Sequence, residues 1–376
     1  MNKKEKYDLT YVTIDSLSEG VGSSQITPLI TRLSKSGMKI NLISYEKFQP
    51  ESQLQDFFDS IGVVWNSRSF GSNGVLGGIS RLNNLRLEIP KTDLIHARSD
   101  IPAVSAIISH QAPVLWDVRS LWADQKIMIQ RNILNKALYN SYRKLERISA
   151  HKSLGMSTLT NAVVPILEKR NGHLPMMRTV VPTSVDLDRF PLTSKMPTVL
   201  RALFSGTYND YYDLNLSSLF MEELRQQIRV ETHWARPFES NKQFIGVGEE
   251  KILFAPQTEI AKLIPNYSFG VSICKLNAGP SLSAAMPTKI GEFLACGRPV
   301  VVNRGLGDMD EIIAESKVGV TLSGDPSDAR HAAGELIELI SDPETPIRCR
   351  AVAEKYFSMD KGVEKYLELY GRMLSS

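Results

Sequence analysis

The chain has 376 residues, 42% of them apolar and 23% charged. These fractions exclude wholesale disorder, and at about 150 residues per domain the length predicts two domains. A net charge of +3 is too small for a dedicated nucleic-acid binder, and the three cysteines (Cys274, Cys296, Cys349) lack CxxC spacing, so a reducing compartment is expected rather than a disulfide framework or zinc site.

Met1 to Asp8 is polar and leads into a strand, so no signal peptide is expected, and no run of 18 apolar residues predicts a bilayer span. Asp8–Asp15 reads as a strand. Gly20-Val-Gly22 follows, then a helical stretch from Gln25 to Lys35 with Ile26, Leu29, Ile30 and Leu33 at helical spacing. Gly37 ends it, and Lys39–Tyr45 is the next strand. The alternation continues through strand Asp93–His96, helix Ile101–His110, strand Val114–Val118 and a long helix to Ala150. Pro182, Pro191 and Pro197 fall within 16 residues that carry no apolar period, which marks a linker. From Val199 a second alternation runs through strand Leu200–Phe204, strand Phe269–Cys274, helix Lys289–Cys296, strand Pro299–Val302, helix Met309–Ala314 and strand Val318–Leu322.

Short apolar strands separated by helices predict parallel sheets covered on both faces. The expected fold class is α/β, with two Rossmann-like domains whose sheets face a central cleft at their carboxyl ends. Expected boundaries are 1–185, a linker over 186–197, 198–355, and an aromatic C-terminal helix over 356–376 that crosses back to the first domain.

There is no GxxxxGK[ST], HExxH, GxSxG or DxDxDG pattern. Glu19-Gly20-Val21-Gly22-Ser23-Ser24-Gln25 is close to a dinucleotide fingerprint, with Gln25 in place of the third glycine and Glu46 where a ribose-binding acid would stand. Two other readings are a tight strand-to-helix turn and a loop whose N–H groups face a phosphate or sugar. The sharper segment begins at Met286-Pro287-Thr288-Lys289. Thr288 reads as an N-cap with Lys289 in the first turn, Ile290, Phe293 and Leu294 as the buried stripe, and Gly297 as the residue past the helix end. The first-turn N–H groups and Lys289 would face an anion, and Glu292 would accept from ribose hydroxyls or simply favour the helix dipole.

Pro287-Thr-Lys-Ile-Gly-Glu-Phe-Leu-Ala-Cys-Gly-Arg-Pro-Val-Val301 resembles the donor-nucleotide motif of family-4 glycosyltransferases, which have the GT-B fold. Gly20-Val-Gly22 resembles that family's first-strand loop, and Val181-Pro-Thr-Ser-Val-Asp186-Leu-Asp-Arg-Phe190 its interdomain segment. Asp117-Val-Arg119-Ser-Leu-Trp122 and His96-Ala-Arg98-Ser are similar to segments of its bacterial surface-polysaccharide branch. The resemblance covers nearly the whole chain. It implies transfer of a sugar from a nucleotide donor to an acceptor hydroxyl of a glycan or lipid-linked acceptor, with retention of configuration, no metal and no cofactor.

By the same resemblance, Gly20, Gly22, Gly206, Thr288, Lys289 and Glu292 bind the donor. Lys289 and Arg119 stabilise the leaving diphosphate, and His96 meets the donor sugar. For Arg119 the alternative is a structural salt bridge with Asp117 or Asp124, and for His96 a satisfied core position. Two departures stand out: Ala284 replaces the family's second glutamate, and Phe204-Ser-Gly206-Thr-Tyr208-Asn-Asp-Tyr-Tyr212 lacks the usual Arg and Lys. A nucleotide-sugar epimerase and a nucleotide-sugar-binding protein without chemistry are the competing readings.

Between Lys126 and Lys152 seven basic residues (Lys126, Arg131, Lys136, Arg143, Lys144, Arg147, Lys152) stand against one acid, Glu146, a local charge of +6. At about 100° per residue, Ile127, Leu134, Leu138 and Leu145 share one face, and Lys136, Arg143 and Arg147 lie opposite. This stripe is either a solvated surface or a patch attracted to an anionic cytoplasmic leaflet. The expected location is therefore cytoplasmic, with a possible peripheral membrane contact.

Overall fold

The computed structural model describes residues 6–18, 20–72, 74–129, 133–207, 209–236, 250–256 and 258–376. Two compact units divide the chain, Met1–Val181 with Gly362–Ser376, and Pro182–Lys361. The sheet of the first unit contains β1 (Tyr7–Val12), β2 (Ile40–Glu46), β3 (Val64–Ser69), β4 (Thr92–Arg98), β5 (Val114–Val118), β6 (Gly155–Thr158) and β7 (Met177–Val180). Their order is β3-β2-β1-β4-β5-β6-β7, and every pairing is parallel. The second unit holds β8 (Arg201–Ser205), β9 (Glu231–Arg236), β10 (Glu250–Phe254), β11 (Phe269–Ser272), β12 (Val300–Asn303) and β13 (Gly319–Leu322). These run parallel in the order β10-β9-β8-β11-β12-β13. Both units are thus doubly wound, with the strand order reversing between β1 and β4 and between β8 and β11. Ligands of open α/β sheets lie at the carboxyl ends of such strands.

The strands are apolar because helices cover both faces. β2 is buried along its whole length, and so is β12, Val-Val-Val-Asn. In the second unit Phe204, Phe220, Trp234, Phe269, Val301 and Leu336 belong to one core cluster. β1 ends at Val12, not at Asp15, because the Thr13 hydroxyl accepts from the Asp15 N–H at 3.0 Å and turns the chain. A π-helical turn, Gly22–Ile26, precedes the helix Thr27–Lys35, which buries Leu29, Ile30 and Leu33.

The long helix expected to reach Ala150 is two helices, Trp122–Ile129 and Ile133–Lys152. The Lys126, Ile127 and Leu134 side chains, and Arg131 altogether, lie outside the described residues. Lys136, Lys144, Arg147 and Lys152 are exposed on the second of these helices. Arg143 is a correction to the outward stripe. It turns in to the buried Glu146, and its Nη2 reaches the Arg170 carbonyl at 3.4 Å, because a buried carboxylate needs a cation beside it. Among the described residues no helix is long and apolar enough to cross a membrane.

The proline-rich stretch over 186–197 lies within the second unit and is tied to it. The buried Arg298 donates to the carbonyls of Thr193 (2.9 Å), Lys195 (3.0 Å) and Pro265 (2.9 Å), and Arg350 donates to that of Phe190 at 2.8 Å. The closing helix, Met359–Leu374, contributes its residues from Gly362 onward to the first unit, where Lys365 donates to the Val180 carbonyl at 2.9 Å.

Candidate functional site

At the switch point of the second unit, β8 is followed by Gly206, whose φ is +87°. The loop runs on to Asp213, which caps the helix Leu214–Gln227 by accepting from the Leu216 N–H at 3.0 Å. Tyr212 forms an antiparallel bridge with Cys274, the Asp213 N–H donates to Ile273 (3.0 Å) and that of Lys275 to Tyr211 (2.9 Å), so the loops after β8 and β11 are zipped together. The Cys274 N–H donates to Asn303 Oδ1 at 2.7 Å, which ties in the end of β12. Tyr208 of the β8 loop lies outside the described residues.

Onto this platform the helix Thr288–Ala295 presents its first turn. Thr288 is not the N-cap. Pro287 is, with an extended backbone at φ −60° and ψ 132°, and its side chain makes no capping hydrogen bond. Proline fixes its own φ near this value, and with Pro287 as the cap the helix starts at Thr288, one residue earlier than capping by the Thr288 hydroxyl would start it. Lys289 is buried, with Nζ 4.2 Å from the centroid of the Tyr212 ring. Burial pulls its pKa down to about 8, against the opposing charges of Cys274 and Glu292. Burial also pushes the Cys274 thiol up to about 12, so it stays neutral near pH 7. Glu292 is buried one turn further in.

This helix is held closely from behind. A Cβ on Gly291 would stand 2.8 Å from Val185 Cγ2 and 2.9 Å from Phe357 Cδ1, so the absent side chain lets it approach the segment carrying Val185. The Thr183 hydroxyl donates to the Met286 carbonyl at 2.5 Å and fixes the helix approach. Ala284 is buried at the end of the short helix Pro280–Ser283.

The switch point of the first unit differs. Gly20 has φ +55°, and a Cβ on Gly22 would meet the Ser16 carbonyl oxygen at 1.9 Å, so the turn tolerates glycine alone there. Glu19 lies outside the described residues. Glu46 is not a ribose ligand in waiting. Its buried carboxylate accepts from the Ser16 hydroxyl (2.5 Å), the Leu17 N–H (2.9 Å), the Ser44 hydroxyl (2.7 Å) and the Ser18 hydroxyl (3.1 Å), and so fastens the loop after β1.

Around Asp117 the first unit builds a closed polar cluster. Asp117 Oδ1 accepts from Ser157 (2.8 Å) and Tyr366 (3.3 Å), Arg119 Nη1 lies 3.5 Å from it, and Arg98 joins from Asp15 (2.8 Å) to Asp117 (3.8 Å). Burial alone would raise the Asp117 carboxyl, but Arg119, His96 and Arg98 hold it well below the usual carboxylate range. His96 is a correction: it has 0% exposure and so no surface to offer a sugar. Its Nδ1 is 2.6 Å from the Tyr370 hydroxyl, its Nε2 3.3 Å from Asp117, and Tyr11 and Tyr366 enclose its ring. Burial lowers its pKa despite Asp117, so the imidazole is neutral. Arg119 Nη1 is also 3.4 Å from the Val181 carbonyl and the Tyr366 hydroxyl, while Asp124 pairs with Arg170 at 2.6 Å.

The structure therefore brings Gly206, Thr288, Lys289 and Glu292 into the second unit's end of the fold and leaves Gly20, Gly22, His96 and Arg119 in the first. Sequence reading missed Tyr212 as the ring beneath Lys289; the Tyr211-Tyr212 pair in an otherwise polar loop was its signal. Among the described residues no three His, Cys, Asp or Glu side chains stand where they would hold a metal ion.

No protein-family model matches the chain, and no curated protein matches it in sequence. Solved structures do match in fold. A sucrose-phosphate synthase from Thermosynechococcus elongatus superposes with a TM-score of 0.70 at 11% identity, over 99% of this chain and 100% of that one. A glycosyltransferase from Rickettsia africae gives 0.70 at 15% identity, over 99% of each chain. HepE of Anabaena, in complex with UDP and glucose, gives 0.65 at 11% identity, over 96% and 98%. The fold of this chain is that of GT-B glycosyltransferases.

Proposed function

We propose that the chain is a retaining, metal-independent glycosyltransferase of the family-4 surface-polysaccharide branch, which takes a sugar from a nucleotide donor to an acceptor hydroxyl. The observation that carries this reading is Lys289, a buried cation in the first turn of a helix capped by Pro287, at the carboxyl ends of β8 and β11. Negative charge grows on the diphosphate as the glycosidic bond breaks, and a preorganised cation with the positive end of a helix stabilises that charge where it develops. Glu292, one turn in, accepts from the ribose hydroxyls, and the Gly206 loop passes beside the nucleotide. The motif from Pro287 to Val301 supports the family assignment, and HepE, similar in fold, was solved with UDP and glucose. Because Lys289 and the helix start neutralise the leaving group, no divalent ion is required. The acceptor is a glycan or a lipid-linked sugar. Lys136, Lys144 and Arg147 draw the enzyme to an anionic cytoplasmic leaflet, at on the order of 1 kcal/mol each.

A panel of radiolabelled nucleotide sugars, incubated with the protein in EDTA, tests the reading. Consumption of one donor with release of its nucleoside diphosphate, unchanged by the chelator, is expected. Binding without turnover would favour a protein that holds nucleotide sugars and lacks chemistry, and activity restored only by a divalent ion would overturn metal independence.

A further inference from the structure

The helix Gly74–Glu88 has one buried side and one exposed apolar side. Its inner side, Gly77, Arg81 and Leu85, is buried, and Arg81 is fastened there by the Phe70 carbonyl at 2.7 Å and the Ser72 carbonyl at 3.0 Å. Its outer side carries Leu76, Ile79 and Leu87, with exposures of 80%, 52% and 76%. At about 100° per residue the three fall within an arc of roughly 80°. About eleven steps of 1.5 Å rise between Leu76 and Leu87 make the stripe about 16 Å long. Such a run of exposed aliphatic side chains on one face marks an interaction surface.

Its surroundings select the partner. The helix packs on Asp100–Ser109, which packs in turn on Ile133–Lys152. Across these three helices the acids are Glu88, Asp100 and Glu146. Glu88 is paired with Arg68 at 2.9 Å, Asp100 is buried beneath Trp116 Nε1 at 3.0 Å, and Glu146 is buried against Arg143 and Asn171. The exposed charges of the layer are basic: Arg86, Lys136, Lys144, Arg147 and Lys152. Ile108 and Ile148 add exposed apolar surface. An anionic bilayer offers both matches at once, acidic headgroups and an apolar interior just beneath them.

We infer that this layer docks on an anionic membrane and that the Leu76, Ile79 and Leu87 stripe enters the bilayer interface. The basic residues supply recruitment, and the stripe supplies the part of the affinity that salt does not screen. The choice of partner rests on the membrane-facing reading of the basic helix proposed above; insertion is a separate claim with its own readout. Each leucine taken into the interface strengthens partition by about tenfold.

The three native cysteines are buried, so Leu76→Cys presents the one accessible thiol for an environment-sensitive fluorophore. Emission is read with vesicles of phosphatidylcholine, with and without phosphatidylglycerol. Glu222→Cys, exposed on the second unit, serves as the control. A blue shift at Leu76→Cys with phosphatidylglycerol vesicles, quenched by acyl-chain spin labels and absent at Glu222→Cys, is expected. Leu76→Ser with Leu87→Ser should still sediment with these vesicles at low salt and lose the bound fraction at high salt. Sedimentation of the labelled protein without any shift would overturn insertion and leave electrostatic recruitment standing. Equal shifts at both positions would overturn it as non-specific adsorption. A shift that follows protein concentration without vesicles would assign the stripe to a second copy of the chain. Failure to sediment at all would overturn recruitment and insertion together, without touching the transfer reaction, which the radiolabelled panel reads.

Discussion

At the switch point of the first unit, Asp117 is closed in by Arg98, Arg119, His96 and two tyrosines of the last helix, and Glu46 fastens the neighbouring loop. At the switch point of the second, Lys289 lies over Tyr212 at the start of a helix whose N-cap is Pro287. The strand orders reverse in the same way, so topology offers both places to a ligand. Local chemistry separates them. In the first unit charges face one another and act as glue. In the second, a buried cation stands in the first turn of a helix at the strand ends, an arrangement suited to an anion.

The comparison breaks most visibly in stability. Asp117→Ala should destabilise the chain by about 3–5 kcal/mol in urea titration, because it strands buried arginine beside neutral His96. A loss under about 1 kcal/mol would mean the cluster is not glue. In the second unit the larger effect should fall on ligand affinity. Glu292→Gln should weaken donor binding by about 1–3 kcal/mol through lost charged hydrogen bonds, read by calorimetry. Unchanged affinity would count against its contact with the ribose.

A pH series sharpens the contrast. Lys289 titrates at about 8 in the fold against 10.5 ordinarily. Below pH 8 it is protonated in both folded and unfolded chains, so the penalty of the buried charge is fully present. Between 8 and 10.5 the unfolded chain binds the proton more, and Lys289 therefore adds stability as pH rises. Anion binding runs the other way. Nucleoside diphosphate affinity should fall roughly tenfold from pH 7 to 9, with proton uptake on binding detected in buffers of different ionisation enthalpy. A flat profile would remove the lysine from the diphosphate.

The same contrast explains what the sequence made legible. Apolar runs such as Val114–Val118 are strands because helices cover both their faces, and that is written locally. The helix Gly74–Glu88 escaped because its leucines face two ways and leave no single period. β9, Glu-Thr-His-Trp-Ala-Arg, escaped because its polar residues hide a buried strand. The helix that carries Lys289 and Glu292 was legible because its apolar stripe and its ends lie in one contiguous stretch of sequence. The role of His96 was not, since its partner Tyr370 is 274 residues away and arrives through the fold. Glu46 misled for the same reason: its donors Ser16 and Leu17 lie in the loop after the neighbouring strand β1, about 30 residues away in sequence, and nothing local distinguishes a loop clasp from a ribose ligand.

The most direct test is calorimetric titration of UDP and GDP into the wild-type chain and Lys289→Met. The wild type should bind one of the two, and Lys289→Met should lose at least about tenfold, or 1.4 kcal/mol, of that affinity. Its melting temperature should be no lower, because the variant removes a buried charge and keeps the stem over Tyr212. Equal affinity in the two proteins, or no nucleotide bound by either, would contradict the assignment of the second unit's switch point as the donor site.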